Sequence, residues 1–220
     1  MFLVIENFLS ADETRTLAEL AGTAKFIEGR RSNPHSLVKN NLILDPEDPN
    51  GQRASQIGLA ALQRNEEARH FVFPQRVAIP TFARYAPGRT YGPHVDAAFM
   101  PIGAQPLRSD VSCTMFISAP TEYTGGELVL SFGSQLLPVK GSAGSAVFYP
   151  SSFIHQVAPV TSGERLVMIT FIESQIMDPM QRHLLYTLGE IRALEGLKMD
   201  WRTRTQLEYV IANVHRMWST

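Results

Sequence analysis

The pattern of apolar and polar positions divides the chain into a mixed opening, a long stretch of short alternating runs, and a helical close. Phe2–Phe8 is apolar and predicts a first strand. Ser10 with Glu13 three positions on has capping-box spacing, and Leu17 and Leu20 then fall at helical intervals, so a helix is expected there. Ser36–Asp45 reads as another strand, and Pro46–Gly51, rich in Pro, Asp and Asn, as the loop that closes it. From Gln52 to about Phe71, Ile57, Leu59, Ala60, Ala61 and Leu62 sit in a helix-forming background that Pro74 ends.

From Arg76 to Ser174 the period shortens. Runs at Val77–Tyr85, Tyr91–Ala97, Val111–Ser118, Glu127–Phe132, Gln135–Lys140, Ser145–Tyr149, Phe153–Ala158 and Arg165–Glu173 are separated by turn signals such as Pro87-Gly88, Gly133-Ser134 and Ser162-Gly163. Strands at this spacing predict a sandwich or barrel, and a jelly roll closes such a set most economically. Gly125-Gly126 is expected to be a hairpin, and Pro101–Arg108 a mobile loop. Leu184, Leu185, Leu188 and Ile191 make one helical stripe near the end, and Leu207, Val210, Ile211, Val214 and Met217 a second. The expectation is a mainly β fold with flanking helices. Residues 1–75 form an N-terminal support region, 76–176 the jelly-roll core and 177–220 a C-terminal helical extension.

Composition narrows the function. The 220 residues are 44% hydrophobic and 19% charged, as in a globular protein. A formal net charge of −1 offers no broad basic surface for nucleic acid. Cys113 is the only cysteine, which excludes a disulfide within the chain and fits a reducing compartment. No apolar run reaches the ~18 residues of a membrane span. A cytoplasmic location without membrane attachment is expected.

The candidate chemistry lies in two segments, Tyr-Gly-Pro-His-Val-Asp (91–96) and the stretch from His155 to Arg165. In a strand, His94 and Asp96 point to one side and Val95 to the other. A second strand carrying His155 completes a set of two imidazoles and one carboxylate. Such a set on one face of a metal leaves the other face open, as in non-haem Fe(II) oxygenases. Arg165 opens an apolar strand, where a guanidinium needs a charged partner; a carboxylate-bearing cosubstrate supplies one, and so does an Asp or Glu elsewhere in the chain. His35, His70, His183 and His215 lack partners at ligand spacing. Cys113, inside an apolar run, reads as an inert core thiol.

These segments, with Lys39-Asn40-Asn41, Arg84-Tyr85, Gly125-Gly126-Glu127-Leu128 and Tyr149-Pro150-Ser151-Ser152, resemble the Fe(II)/2-oxoglutarate-dependent dioxygenases of prolyl hydroxylase type. The details are closest to the bacterial PKHD-type hydroxylases, and the likeness runs nearly end to end. It implies a double-stranded β-helix core of cupin type and Fe(II) held by His94, Asp96 and His155. Arg165 would pair with the distal carboxylate of 2-oxoglutarate, Tyr85 would line the cosubstrate pocket, and L-ascorbate would serve as reductant. Tyr91 is expected to pack or to face substrate. The implied reaction hydroxylates a C–H bond of a peptidyl Pro- or Lys-like residue or of a small molecule, with 2-oxoglutarate converted to succinate and CO2. One departure stands out: some prolyl hydroxylases have a second tyrosine near the distal carboxylate, and this chain has Phe116 there, which leaves Thr170 to supply the hydroxyl.

Two other classes compete. A nucleic-acid demethylase on this scaffold has a second arginine six residues after the first, where this chain has Phe171. A non-catalytic cupin-like metal or small-molecule binding protein has no use for a guanidinium opposite the triad. The apolar C-terminal helices also offer a surface for a homodimer.

Overall fold

Ser10 starts the first helix in the way its spacing requires. Its hydroxyl accepts from the Glu13 amide at 3.2 Å, and the Glu13 carboxylate accepts from the Ser10 amide at 2.8 Å. Two donors that the helix leaves unpaired are thereby satisfied. The computed structural model describes residues 1–102 and 104–220.

The chain begins with β1 (Leu3–Ile5), α1 (Ala11–Thr23), β2 (Phe26–Glu28), β3 (Lys39–Asn40) and β4 (Leu42–Leu44), followed by α2 (Pro49–Arg64) and α3 (Glu66–Val72). Next come β5 (Pro74–Val77), β6 (Thr81–Tyr85), β7 (Thr90–His94), β8 (Phe99–Met100), β9 (Leu107–Arg108) and β10 (Val111–Phe116). The series continues with β11 (Tyr123–Gly125), β12 (Leu128–Phe132), β13 (Gln135–Val139), β14 (Ala146–Pro150), β15 (His155–Val157), β16 (Val160–Gly163) and β17 (Arg165–Ser174). Two helices close it, α4 (Pro179–Glu195) and α5 (Trp201–Trp218).

The larger sheet has the order β1-β14-β10-β17-β6-β4-β2, with β5 also on β17, and the smaller has the order β13-β12-β15-β7-β3. The sheets meet in one buried cluster, where Tyr85, Phe116, Tyr149 and Val167 of the larger pack with Leu128, Leu130 and Val157 of the smaller. On its other face the larger sheet buries Phe82, Cys113, Met115, Phe148 and Met168 against Leu17, Ala61, Leu62 and Phe71 of the helices. Each large apolar side chain so buried contributes about 1.5–3 kcal/mol. Strand β10 is therefore buried on both faces along its whole length. Its Val111, Cys113 and Met115 face the helices, while Ser112 and Thr114 alternate with them and are buried as well.

The expected elements are present with different boundaries. The first strand stops at Ile5, and Asn7 then turns with φ 54°. Ser36–Asp45 is two short strands, and the loop expected at Pro46–Gly51 gives way to α2, which Asp48 caps by accepting from the Asn50 amide with Pro49 in the first turn. The single helix expected to run to Phe71 is two, because Asn65 caps a new start by accepting from the Ala68 amide. Gly125-Gly126 is not a hairpin: β11 pairs with β16, and the two glycines, at φ 72° and 70°, turn the chain from that ribbon into β12. Within Pro101–Arg108, Leu107 and Arg108 pair with β8, while Gly103 lies outside the described residues. Helix α5 has no buried residue and packs on α4 at the periphery.

Candidate active site

Antiparallel pairing of β7 with β15 sets His155 directly opposite His94. Asp96 arrives differently from the strand alternation expected of it. Strand β7 ends at His94, so Asp96 lies two residues beyond, where the chain departs toward β8. Its position is fixed from the facing sheet: Ser112 on β10 donates to Asp96 Oδ2 at 2.6 Å, and Ser112 and Ser151 are linked at 2.8 Å. An ionised carboxylate only accepts, so the Ser112 proton points at Asp96 and Ser151 donates to Ser112. Both serines are buried.

One ligand atom from each of His94, Asp96 and His155 lies within 4.8 Å of the others, and this is the one such group of His, Cys, Asp or Glu among the described residues. His94 Nε2 stands 3.9 Å from Asp96 Oδ1, and His155 Nε2 stands 3.6 Å from Asp96 Oδ2. Both separations exceed a hydrogen bond and leave the three atoms facing a shared point. The tautomers follow from the backbone. His94 Nδ1 lies 2.8 Å from the Gly92 carbonyl, and His155 Nδ1 lies 2.9 Å from the Phe153 carbonyl. A carbonyl accepts only, so each Nδ1 carries a proton, and in the neutral imidazole Nε2 is then the nitrogen with the lone pair. Burial first, then the neighbouring His155, holds the His94 pKa down to about 4, which keeps that imidazole neutral. Two imidazole nitrogens and a carboxylate oxygen, oriented by outer hydrogen bonds, fit a divalent iron ion.

A cavity of about 460 Å³ opens on this cluster and is lined by Tyr85, Tyr149 and Arg165 as well as the triad. Arg165 begins β17 opposite Tyr85 on β6 and is 1% exposed. Its guanidinium lies 5.0 Å over the Tyr85 ring and 5.8 Å from that of Phe116. Among the described residues no Asp or Glu pairs with it, and its Nε and Nη1 are buried without a hydrogen-bond partner. The intramolecular acid left open as a partner from the sequence is thus not found. Tyr85 accepts from Asn41 Nδ2 at 3.3 Å, and burial pushes its pKa up to about 12, so it stays protonated. Tyr91 stacks on His94 with centroids 3.5 Å apart, and it also lines the cavity. Lys39 Nζ stands 5.3 Å from the Tyr91 ring centroid and donates to Ser32.

Thr170 does not supply the missing hydroxyl. It shares its side of β17 with Met168 and Ile172, which face the helices, and it donates to the Ala78 carbonyl at 2.6 Å. Cys113 lies in the helix-side core, and burial pushes its thiol pKa up. The residues that sequence reasoning missed are Ser112, Ser151 and Asn41. They act through contacts made only when distant segments meet. Asn41 and Ser151 did lie in segments that carry the family resemblance, but nothing there gave their roles, and Ser112 had only its place within the Val111–Ser118 run.

Facing antiparallel sheets around such a triad define a class, the oxygenases that use Fe(II) and 2-oxoglutarate. Residues 80–173 match the family described as the 2OG-Fe(II) oxygenase superfamily. Solved structures agree on the fold. A Pseudomonas putida prolyl-4-hydroxylase superposes with a TM-score of 0.53 at 23% identity, covering 79% of this chain and 92% of that one. A Trichoplax adhaerens prolyl hydroxylase, in complex with a hypoxia inducible factor peptide fragment, gives 0.57 at 15% identity over 78% and 83%. A PKHD-type hydroxylase of Sphingopyxis alaskensis is 45% identical over 218 residues, 99% of each chain. The chain belongs to the PKHD-type hydroxylases and is an Fe(II)- and 2-oxoglutarate-dependent oxygenase. Among the described residues, no helix is long and apolar enough to cross a membrane.

Proposed function

We propose that His94, Asp96 and His155 hold Fe(II), that Arg165 and Tyr85 hold 2-oxoglutarate, and that the enzyme hydroxylates an unactivated C–H bond of an amino-acid-sized group, peptidyl or free. The observation that carries this reading is a buried guanidinium whose Nε and Nη1 have no partner among the described residues, in the same cavity as a metal-ligand triad. With both bound, iron and keto acid supply an oxidant derived from O2, and the keto acid leaves as succinate and CO2.

The protein's own share is orientation. The carbonyls of Gly92 and Phe153 fix the two imidazoles, and Ser112 occupies Asp96 Oδ2, so Oδ1 is the carboxylate oxygen left for the metal. Arg165 supplies the charge for a distal carboxylate, and Tyr85 a protonated hydroxyl. The walls of Tyr149, Leu128 and Val157 limit water. L-ascorbate is the proposed reductant that keeps the iron ferrous between turnovers. We place residues 76–176 as the catalytic core, 1–75 as its support and 177–220 as a helical extension available for homodimer contact, in a cytoplasmic protein.

Succinate formation from 2-oxoglutarate in the presence of Fe(II), slow without primary substrate, tests this reading. His155→Ala is expected to abolish both metal binding and succinate formation. Retention of metal affinity in that variant overturns the ligand assignment.

A further inference from the structure

Six buried side-chain polar atoms have no partner among the described residues, and three of them belong to one locus: Arg165 Nε, Arg165 Nη1 and the Tyr123 hydroxyl. Tyr123 comes from β11, which pairs with β16 in a two-stranded ribbon, and it packs in the same inter-sheet cluster as Tyr85 and Phe116. Its hydroxyl lies within the electrostatic reach of the Arg165 guanidinium but makes no well-formed hydrogen bond with it. Both side chains crowd Gly126. A Cβ there would meet Arg165 Cδ and Tyr123 Cε2, each at 3.1 Å, and the residue has φ +70°. The bare glycine is what lets arginine and tyrosine stand side by side.

The ring is held from outside. Lys140 Nζ donates to the Tyr123 carbonyl at 2.9 Å and stands 4.2 Å over the phenol. Burial raises the Tyr123 pKa above its ordinary value, so the hydroxyl keeps its proton at neutral pH. A buried phenol and two guanidinium donors without acceptors form a locus of unmet donors, which is costly unless an acceptor enters. A carboxylate has two oxygens and can take a charged donor on one and a neutral donor on the other. Phe116 offers no such donor, and the Thr170 hydroxyl already donates to the Ala78 carbonyl.

We infer that the Tyr123 hydroxyl, together with Arg165, binds the distal carboxylate of 2-oxoglutarate, so that the hydroxyl absent at position 116 is supplied from β11 instead of β10. The inference rests on the reading of Arg165 as the cosubstrate anchor. Anaerobic calorimetric titration of the Mn(II)-loaded protein tests it with two ligands, 2-oxoglutarate and 2-oxopentanoate, which lacks the distal carboxylate. Tyr123→Phe is expected to weaken 2-oxoglutarate by about ten- to a hundredfold, as for loss of a hydrogen bond to a charged group, and to leave 2-oxopentanoate unchanged. Equal weakening of both ligands makes Tyr123 merely structural and overturns the inference. Unchanged 2-oxoglutarate affinity overturns it as well. Arg165→Met separates the two readings. If that variant loses affinity while Tyr123→Phe does not, the anchor stands and Tyr123 falls; if neither loses affinity, the anchor itself is wrong.

Discussion

Replacing Arg165 by methionine is expected to stabilise the ligand-free protein while disabling it. The guanidinium is 1% exposed, has no carboxylate partner among the described residues and leaves two nitrogens unpaired. Desolvating an unpaired ion costs on the order of several kcal/mol. The opposing terms are the contacts with the Tyr85 and Phe116 rings at 5.0 and 5.8 Å. Cation–π attraction returns about 2 kcal/mol at best when desolvated, and both distances are near the outer limit of such contacts. Desolvation wins. An apolar side chain of similar length should therefore gain about 1–4 kcal/mol. At about 2–4 °C per kcal/mol for a chain of this size, Tm rises by at least roughly 2 °C. With cosubstrate the order reverses. At a hundredfold excess over Kd, 2-oxoglutarate stabilises the native enzyme by about 2.7 kcal/mol. The variant forfeits that, because truncating one partner of a buried charge pair costs about 2–5 kcal/mol. Scanning calorimetry with Mn(II), with and without 2-oxoglutarate, reads both halves. A variant that melts lower than the native protein without ligand, yet keeps its response to 2-oxoglutarate, refutes the reasoning.

Ser112→Ala removes the hydroxyl that donates to Asp96 Oδ2. Metal affinity is expected to fall about ten- to a hundredfold, read by Co(II) titration, while Ser112→Thr retains it; an alanine variant of native affinity contradicts the role. Acid should weaken the metal-free fold through His94. Its folded pKa of about 4 lies below the ~6.5 of an unfolded histidine, so the unfolded chain binds more protons between those values. The stabilisation is complete above about pH 6.5 and is lost as pH falls toward 4. The urea midpoint should drop between pH 7.5 and 5, and drop less in His94→Gln; an identical drop in both excludes His94 as the source.

The chemistry of the site was more legible than its architecture. His94 and Asp96 stood out by their His-x-Asp spacing together with a distal His155, and His155 and Arg165 because ionisable groups within apolar strands require a reason, a requirement visible without coordinates. The mechanism of placement was not. Asp96 looked like a strand residue because His-x-Asp alternates correctly, yet β7 stops short of it and a serine sixteen positions later on the opposite sheet holds it. Strands of two or three residues, such as β2, β8 and β9, carry too few positions for any period to register. The break between α2 and α3 did leave a trace, since Asn65 followed by Glu66 and Glu67 is a helix-start pattern inside an apparently continuous helix. Tyr123 left none. Nothing local marks a tyrosine before two glycines as the neighbour of an arginine forty-two positions on; only closure of the β11–β16 ribbon brings them together.

The hydrogen bonds of the cavity divide by direction, and the division bears on the order of assembly. At the triad, groups pointing away from the shared point are satisfied: both Nδ1 atoms by carbonyls, and Asp96 Oδ2 by Ser112 with Ser151 behind it. The atoms turned inward are the Nε2 atoms and Asp96 Oδ1, already oriented by those outer bonds, so a metal entering there requires little reorganisation. At the opposite end stands Arg165, whose Nε and Nη1, like the hydroxyl of neighbouring Tyr123, have no acceptor among the described residues. That end is unfavourable until a carboxylate enters, and its strain is relieved on binding rather than beforehand. The metal end should therefore be pre-formed and the cosubstrate end should respond to its ligand. A dianionic keto acid relieves that strain and reaches the open face of the triad in one step, whereas a monocarboxylate does only one of the two. If Arg165 and Tyr123 receive the distal carboxylate as proposed, the chain selects its cosubstrate by charge at both ends, through donors that have no partner among the described residues.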